Sequence, residues 1–372
     1  SYLRSQRKLC NNQLNWLLLR DIEIPDGLDL PLTDVTTLTM WKITMSEKCS
    51  RSLCSSITNC TCSELILKDI KLHDGELNLR KLTNLTSLTL SDVTMSQECC
   101  RSLCSCISGF IRMKYLLLRK IRIHDGLLNL TGLVNLTSFT LWDVAMTEEC
   151  SRCLCSSIGG CSRMESLELS NITLPDGVLC LSSLTNLTFL SVWKVTMSEK
   201  CSITLCKSVS DCTRMKWLVL RDIKLHHGIL DLCSITSLTS LTLWDVKMSE
   251  ECSRFLCSNI SGCNHHERLE LRYIIISDSL LDLGNQSHLT SLALWGISIS
   301  VECSRVLCSS IASCTHLEKL ELRDIMLPDG ILCLSSLTNL TYLTLWKLTM
   351  SEECSISLCS SISGCTRLKS LV

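Results

Sequence analysis

The heptapeptide Ile43-Thr-Met45-Ser-Glu-Lys-Cys49 returns six more times, with Met95, Met146, Met197, Met248, Ile299 and Met350 in the place of Met45. The step is 50 residues once and 51 residues five times. A fixed period constrains a chain more than any single motif, because each copy cannot bury its apolar face alone and has to stack on its neighbours. Every period holds two related units. The long unit opens Leu-x-x-Leu-x-Leu-x-x-Val-x-Met, as at Leu85, Leu88, Leu90, Val93 and Met95; the short one opens Met-x-x-Leu-x-Leu-x-x-Ile-x-Ile, as at Met113, Leu116, Leu118, Ile121 and Ile123. Leu85 to Met113 spans 28 residues and Met113 to Leu136 spans 23, which together make the 51-residue period. Residues 1–372 therefore read as one repetitive body.

The Leu alternation predicts a short strand that sends every second side chain into a common core. In the long unit a helix follows. Its N-caps are Ser46, Ser96, Thr147, Ser198, Ser249, Ser300 and Ser351. Glu47, Glu98, Glu148, Glu199, Glu250, Glu302 and Glu352 suit the positive end of the helix dipole. Cys49, Leu53, Cys54 and Ile57 form one inward stripe. Gly109, Gly160, Gly262 and Gly364 are expected to end helices in the left-handed conformation. The short unit carries Pro25-Asp26-Gly27, His73-Asp74-Gly75 or Pro175-Asp176-Gly177, a turn signal with too few residues after it for a long helix.

These units resemble the leucine-rich repeat, LxxLxLxx(N/C)xL in copies of 20 to 29 residues. The resemblance spans residues 14–372 in fourteen copies. It implies an α/β solenoid, a curved horseshoe with a parallel concave sheet and a convex side that alternates helices with short turns. The family's Asn or Cys ladder position is aliphatic here, as at Ile22, Ile43, Ile70 and Val93. Such a ladder predicts a greasier spine whose loop carbonyls are satisfied by main chain or buried water. The next short unit begins at Leu368 and is cut off, so a further flanking domain is expected.

Composition excludes several functions. With 14 Gly and 4 Pro there is no GxGxxG and no P-loop, and no GxSxG or HExxH occurs. No nucleophile, base and orienter converge, so the chain reads as a non-enzyme. A formal charge of -1 gives no footprint for nucleic acid, and no apolar run approaches the roughly 18 residues that a membrane helix needs.

Twenty of the 28 Cys occupy the three slots represented by Cys49, Cys54 and Cys60. Equivalent Cys lie two strand spacings apart, roughly 9.5 Å, too far for a disulfide. Free thiols suit a reducing, cytoplasmic setting. Against it stand nine N-x-[ST] sequons, at Asn59, Asn84, Asn129, Asn135, Asn171, Asn186, Asn259, Asn285 and Asn339, which keep an extracellular alternative open. Cys263, His265 and His266 are the best metal candidate but lack a second ligand pair, so neither metal nor cofactor is expected.

The seventh position of the long-unit strands is Trp41, Ser91, Trp142, Trp193, Trp244, Trp295 and Trp346; in the short units it is Arg20, Lys68, Arg119, Ser170, Arg221, Arg272 and Arg323. Trp16 and Trp217 take the third position, so all eight Trp are predicted on the concave face. Neighbouring strands then present indole and guanidinium alternately in one row. Two readings stay open: the row stiffens the sheet, or it is a recognition strip for a protein or peptide ligand. The candidate ligand-binding residues are Trp41, Trp142, Trp193, Trp244, Trp295, Trp346, Arg119, Arg221, Arg272 and Arg323. The inward-Cys helix resembles the ribonuclease-inhibitor-like subclass, and Ile172-Thr-Leu-Pro-Asp-Gly177 with Leu184-Thr-Asn-Leu187 resembles the repeats of NOD-like innate immune receptors. That resemblance implies a ligand-sensing region of a cytosolic receptor. The alternatives are a secreted or surface binding protein of the variable-receptor type and a ribonuclease-inhibitor-like protein inhibitor.

Overall fold

The computed structural model describes residues 9–10, 13–26, 32, 35–72, 77–175, 178–276 and 279–372. The turn residues Gly27, His73 to Gly75, Asp176 and Gly177 lie outside the described residues. The chain divides into two compact units, residues 1–187 with 195–201, and 188–194 with 202–372.

In the first unit the strands Trp16–Ile24, Thr37–Met45, Glu64–Leu72, Ser87–Met95, Tyr115–Arg119, Ser138–Trp142 and Ser166–Leu174 pair in parallel, each with the next. Helices α1 (Glu47–Thr58), α2 (Gln97–Ile107) and α3 (Glu148–Ile158) follow its long-unit strands. The second unit repeats the plan. Its strands begin with Phe189–Met197 and continue with Trp217–Lys224, Ser240–Lys247, Arg268–Arg272, Ser291–Trp295, Lys319–Arg323, Tyr342–Trp346 and Ser370–Leu371, again in parallel. Its helices are α4 (Glu199–Ser210), α5 (Glu250–Gly262), α6 (Val301–Ser313) and α7 (Glu352–Ile362). The architecture is α/β, with helices only in the long units among the described residues.

Strand alternation places pairs such as Leu38 and Met40, Leu88 and Leu90, and Leu241 and Leu243 wholly out of solvent. Strict alternation would also drive the eighth strand residue inward. It does not, because that residue is left-handed in all fourteen copies, at φ between 47° for Lys120 and 56° for Lys42, Asp143 and Gly296. The turn lets positions seven and eight both face outward while the ninth, such as Ile70 or Val246, returns to the core. Asp or Asn fills the position in eight copies, the non-glycine residues that tolerate this conformation best. The parallel ladder survives the kink: the N–H of Lys120 donates to Trp142 O at 2.8 Å and that of Asp324 to Trp346 O at 2.8 Å. Beyond it, Ile121 O accepts from Ala145 N at 3.1 Å and Ile325 O from Thr349 N at 3.0 Å, so main chain serves the aliphatic spine. Ile22 and Leu348 are half-buried.

The helix starts follow the sequence. Each N-cap hydroxyl accepts from the N–H three residues on, as from Cys49 to Ser46 at 3.2 Å and from Cys201 to Ser198 at 3.2 Å. The helix ends do not. None of Gly109, Gly160, Gly262 and Gly364 has positive φ, and Gly262 is the last residue of α5 itself. The last turn instead tightens, with Gly160 N donating to Ser157 O at 3.0 Å and Gly364 N to Ser361 O at 3.0 Å, which removes the need for a left-handed residue. Glycine serves close approach there: a Cβ on Gly160 would stand 3.3 Å from Thr131 Cα, and one on Gly364 3.1 Å from Ser335 Cα.

The phrase Asn-Leu-Thr before the long-unit strands also has a structural cause. Asn135 Nδ2 donates to Ile111 O at 2.6 Å while its Oδ1 accepts from Arg163 at 2.8 Å; Asn339 repeats this with Thr315 O at 3.1 Å and Arg367 at 2.9 Å. These side chains tie a strand entrance to the loops on either side, the task an Asn ladder performs at the position that is aliphatic here.

Candidate functional site

The seventh-position side chains stand in register. In the second unit Trp193, Arg221, Trp244, Arg272, Trp295, Arg323 and Trp346 are successive strand partners without interruption. Arg221 lies 3.5 Å from the Trp244 ring centre and 4.8 Å from Trp193; Arg272 lies 3.3 Å from Trp295 and 4.7 Å from Trp244; Arg323 lies 4.3 Å from Trp295. Guanidinium planes between indole faces satisfy both, because the ring quadrupole attracts the cation. In the first unit the partners run Arg20, Trp41, Lys68, Ser91, Arg119, Trp142 and Ser170. Stacks there include Arg20 on Trp41 at 3.9 Å and Arg119 on Trp142 at 4.4 Å.

All eight indoles are outside the core. Trp16, Trp41, Trp142, Trp217 and Trp346 are exposed, and Trp193, Trp244 and Trp295 are half-buried under their arginines. Trp346 is the most open at 56%.

In the second unit the fifth strand position adds two acids. Glu270 pairs with Arg272; Glu321, only 5% exposed, takes Lys319 Nζ at 2.7 Å and Arg323 Nη2 at 3.2 Å. Burial pushes Arg272 below the usual arginine range, the Arg323 and Arg221 charges act the same way, and Glu270 and Glu321 oppose them. A cleft of about 410 Å³ opens at the Trp346 end, lined by Trp295, Arg323, Trp346, Tyr273, Asp324, Thr344, Lys347 and Val372. Trp295 Nε1, Arg323 Nε and Thr344 Oγ1 have no hydrogen-bond partner in it. Sequence reasoning found the row and missed Glu270, Glu321 and Thr344. The acids had a legible signal, since Arg272 and Arg323 each follow Leu-Glu-Leu.

The other candidates fare differently. Among the described residues no three His, Cys, Asp or Glu side chains group as a metal site. His266 is wholly buried, with Nδ1 3.2 Å from Gln286 Oε1, and burial pushes its pKa down to about 4. The described thiols are free, and Cys359, in a slot read as buried, is exposed. Equivalent thiols do not meet, but the second Cys of one helix hydrogen-bonds the first Cys of the next, as Cys54 with Cys99 and Cys155 with Cys201. Asn259 is the one sequon side chain buried here with both ends engaged: it accepts from Leu232 N at 3.0 Å and Cys233 N at 3.2 Å, and donates to Phe255 O at 2.9 Å.

No protein-family model matches the chain, and comparison with curated proteins gives no match. Solved structures do. An internalin, InlF of Listeria monocytogenes, is 17% identical over 96% of this chain and 86% of its own, with a TM-score of 0.56. A leucine-rich-repeat protein of Leptospira interrogans is 16% identical over 96% of this chain and 85% of its own, at 0.59. With the register of the strands and the fourteenfold kink, these likenesses give the chain the leucine-rich-repeat fold.

Proposed function

We propose that the chain is a recognition module that binds a protein or peptide ligand along the Trp/Arg row. The observation that carries this reading is the row's uninterrupted stretch in the second unit, where Arg221 and Arg272 each lie between two indoles on the outer face. Trp and Arg dominate binding hot spots because they bring large contact area at low entropic cost and a rigid fork of donors. Stacking holds the arginines extended before a ligand arrives, which lowers the ordering cost of association. Mixed charge in the cleft, Arg323 and Lys347 with Asp324, fits a polypeptide better than a polyanion. The internalin and the Leptospira protein share the scaffold and support a binding role over catalysis.

We further propose a cytosolic setting and a role like that of the leucine-rich-repeat region of NOD-like receptors. The many free thiols support the setting. A second reading, secretion, is favoured by the exposed sequon at Asn84. Glycopeptide mass spectrometry of the native protein separates the two: a glycan on Asn84 or Asn135 removes the cytosolic proposal.

The ligand-binding proposal is tested by crosslinking the native chain to its partner and comparing Trp346→Ala and Trp244→Ala with wild type at equal helicity by circular dichroism. Loss of capture by tenfold or more is expected. Equal capture by both variants removes the row from the binding surface.

A further inference from the structure

A thiol pair departs from the periodic pattern in one copy only. The third cysteine of the long unit sits just past its helix and in three other copies donates to the carbonyl of a Leu in the preceding short unit: Cys161 to Leu130 O at 3.5 Å, Cys314 to Leu283 O at 3.4 Å and Cys365 to Leu334 O at 3.4 Å. The residue after that Leu is Thr131, Gly284 or Ser335. In the copy that contains α5 it is Cys233, and the helix-end thiol of Cys263 has Cys233 Sγ at 3.0 Å. This is inside the contact distance of two unbonded sulfurs.

A second change accompanies the first. Where α3, α6 and α7 carry Ser157, Ser310 and Ser361, α5 carries Asn259. Ser361 accepts from Leu334 N alone, at 3.0 Å, among the hydrogen bonds described for it from that loop. The longer Asn259 side chain reaches both Leu232 N and Cys233 N, and the Asn259 main-chain carbonyl accepts from Cys233 Sγ at 3.4 Å. Cys233 is thereby held against the helix end. It is exposed, whereas Cys263 is buried.

We infer that Cys233 and Cys263 form an oxidation site, an accessible thiol backed by a buried resolving thiol, which closes to a disulfide on reaction with a hydroperoxide. Cys233 is oxidised first: its sulfur takes one oxygen from hydrogen peroxide and releases one water, giving the sulfenic acid. The Cys263 sulfur then attacks that sulfur, the S–O bond breaks, and the departing hydroxide leaves as a second water with the Cys263 proton. Two thiols and one peroxide give one disulfide and two waters. Burial holds the Cys263 thiol above the ordinary range, so it stays protonated until its neighbour has reacted. Closure fastens the Leu232–Cys233 segment to the end of α5. The buried partners Cys54 and Cys99 lack an accessible member and stay reduced in the folded chain.

The test treats native protein with equimolar hydrogen peroxide, alkylates the remaining thiols after denaturation and maps peptides by mass spectrometry. The expected first product is a peptide pair joining Cys233 to Cys263, two hydrogens lighter and reversed by dithiothreitol. The Cys233→Ser variant, which takes the residue of Ser335, is expected to fold, to lose the linked pair and to leave Cys263 fully alkylated. Over-oxidation of Cys233 with Cys263 still alkylatable overturns the inference, as does a first disulfide between any other pair.

Discussion

The two units carry the same core and different outer faces. In the second, Arg221 and Arg272 each lie between two indoles; in the first, Arg119 stacks on Trp142 with Ser91 on its other side, and Arg20, on the edge strand, stacks on Trp41. Inner positions hardly differ: Leu90 beside Ser91 and Leu243 beside Trp244 are both fully buried. The fold therefore depends on the inward Leu set and tolerates either outer face, which leaves the row free to serve something other than folding.

The largest effect expected is the one that should not distinguish the units. Leu90→Ala and Leu243→Ala each lose about 2–5 kcal/mol by transfer and cavity cost, read as urea midpoints; a clear inequality would mean that the outer row feeds back on the core.

Next comes acid sensitivity confined to the second unit. His266 and Gln286 occupy core positions where other copies have Met113, Met164 or Met215 and Leu184 or Leu337. Because folding lowers the His266 pKa to about 4 from 6.5, the unfolded chain binds the proton first. Stability is then full above about pH 6.5 and falls as pH drops toward 4, by on the order of 3 kcal/mol. The double variant His266→Met with Gln286→Leu is expected to flatten this part of the pH profile, and an unchanged profile would assign it to other groups.

A smaller effect separates the rows. Arg272→Ala removes two stacks and leaves Glu270 without its partner, and about 1–2 kcal/mol is expected; Arg119→Ala removes one stack, about 0.5–1 kcal/mol. Equal losses would deny the continuous row any added stability. The smallest is a gain. Ser91→Trp inserts an indole between Lys68 and Arg119 and is expected to add about 0.5 kcal/mol, visible as a raised midpoint with quenched indole fluorescence.

Much of this was legible in the sequence, and the failures share a cause. Strand register, the seven N-caps and the Trp/Arg row follow from spacing alone, since a parallel stack with a constant period aligns equal positions. The left-handed eighth residue was invisible because Asp21, Lys42, Tyr273 and Gly296 share a backbone conformation and no side-chain chemistry. The helix-end glycines were misassigned because composition does not separate a need for positive φ from a need for space, and only the nearby Thr131 and Ser335 backbones decide it. Thiol neighbours do not show in the spacing of equivalent positions, since Cys54 meets Cys99 along a diagonal. The sequon phrase has a structural use that its pattern does not show, with Asn135 and Asn339 binding loops together.

Each pair of units contributes one outward slot filled mostly by indole and one filled mostly by guanidinium, over a common inward Leu set. Gain or loss of 51 residues by unequal exchange would therefore lengthen or shorten the row by one step while leaving the interior sealed. A lineage can retune the reach of such a surface by copy number, without a single substitution in the hydrophobic core.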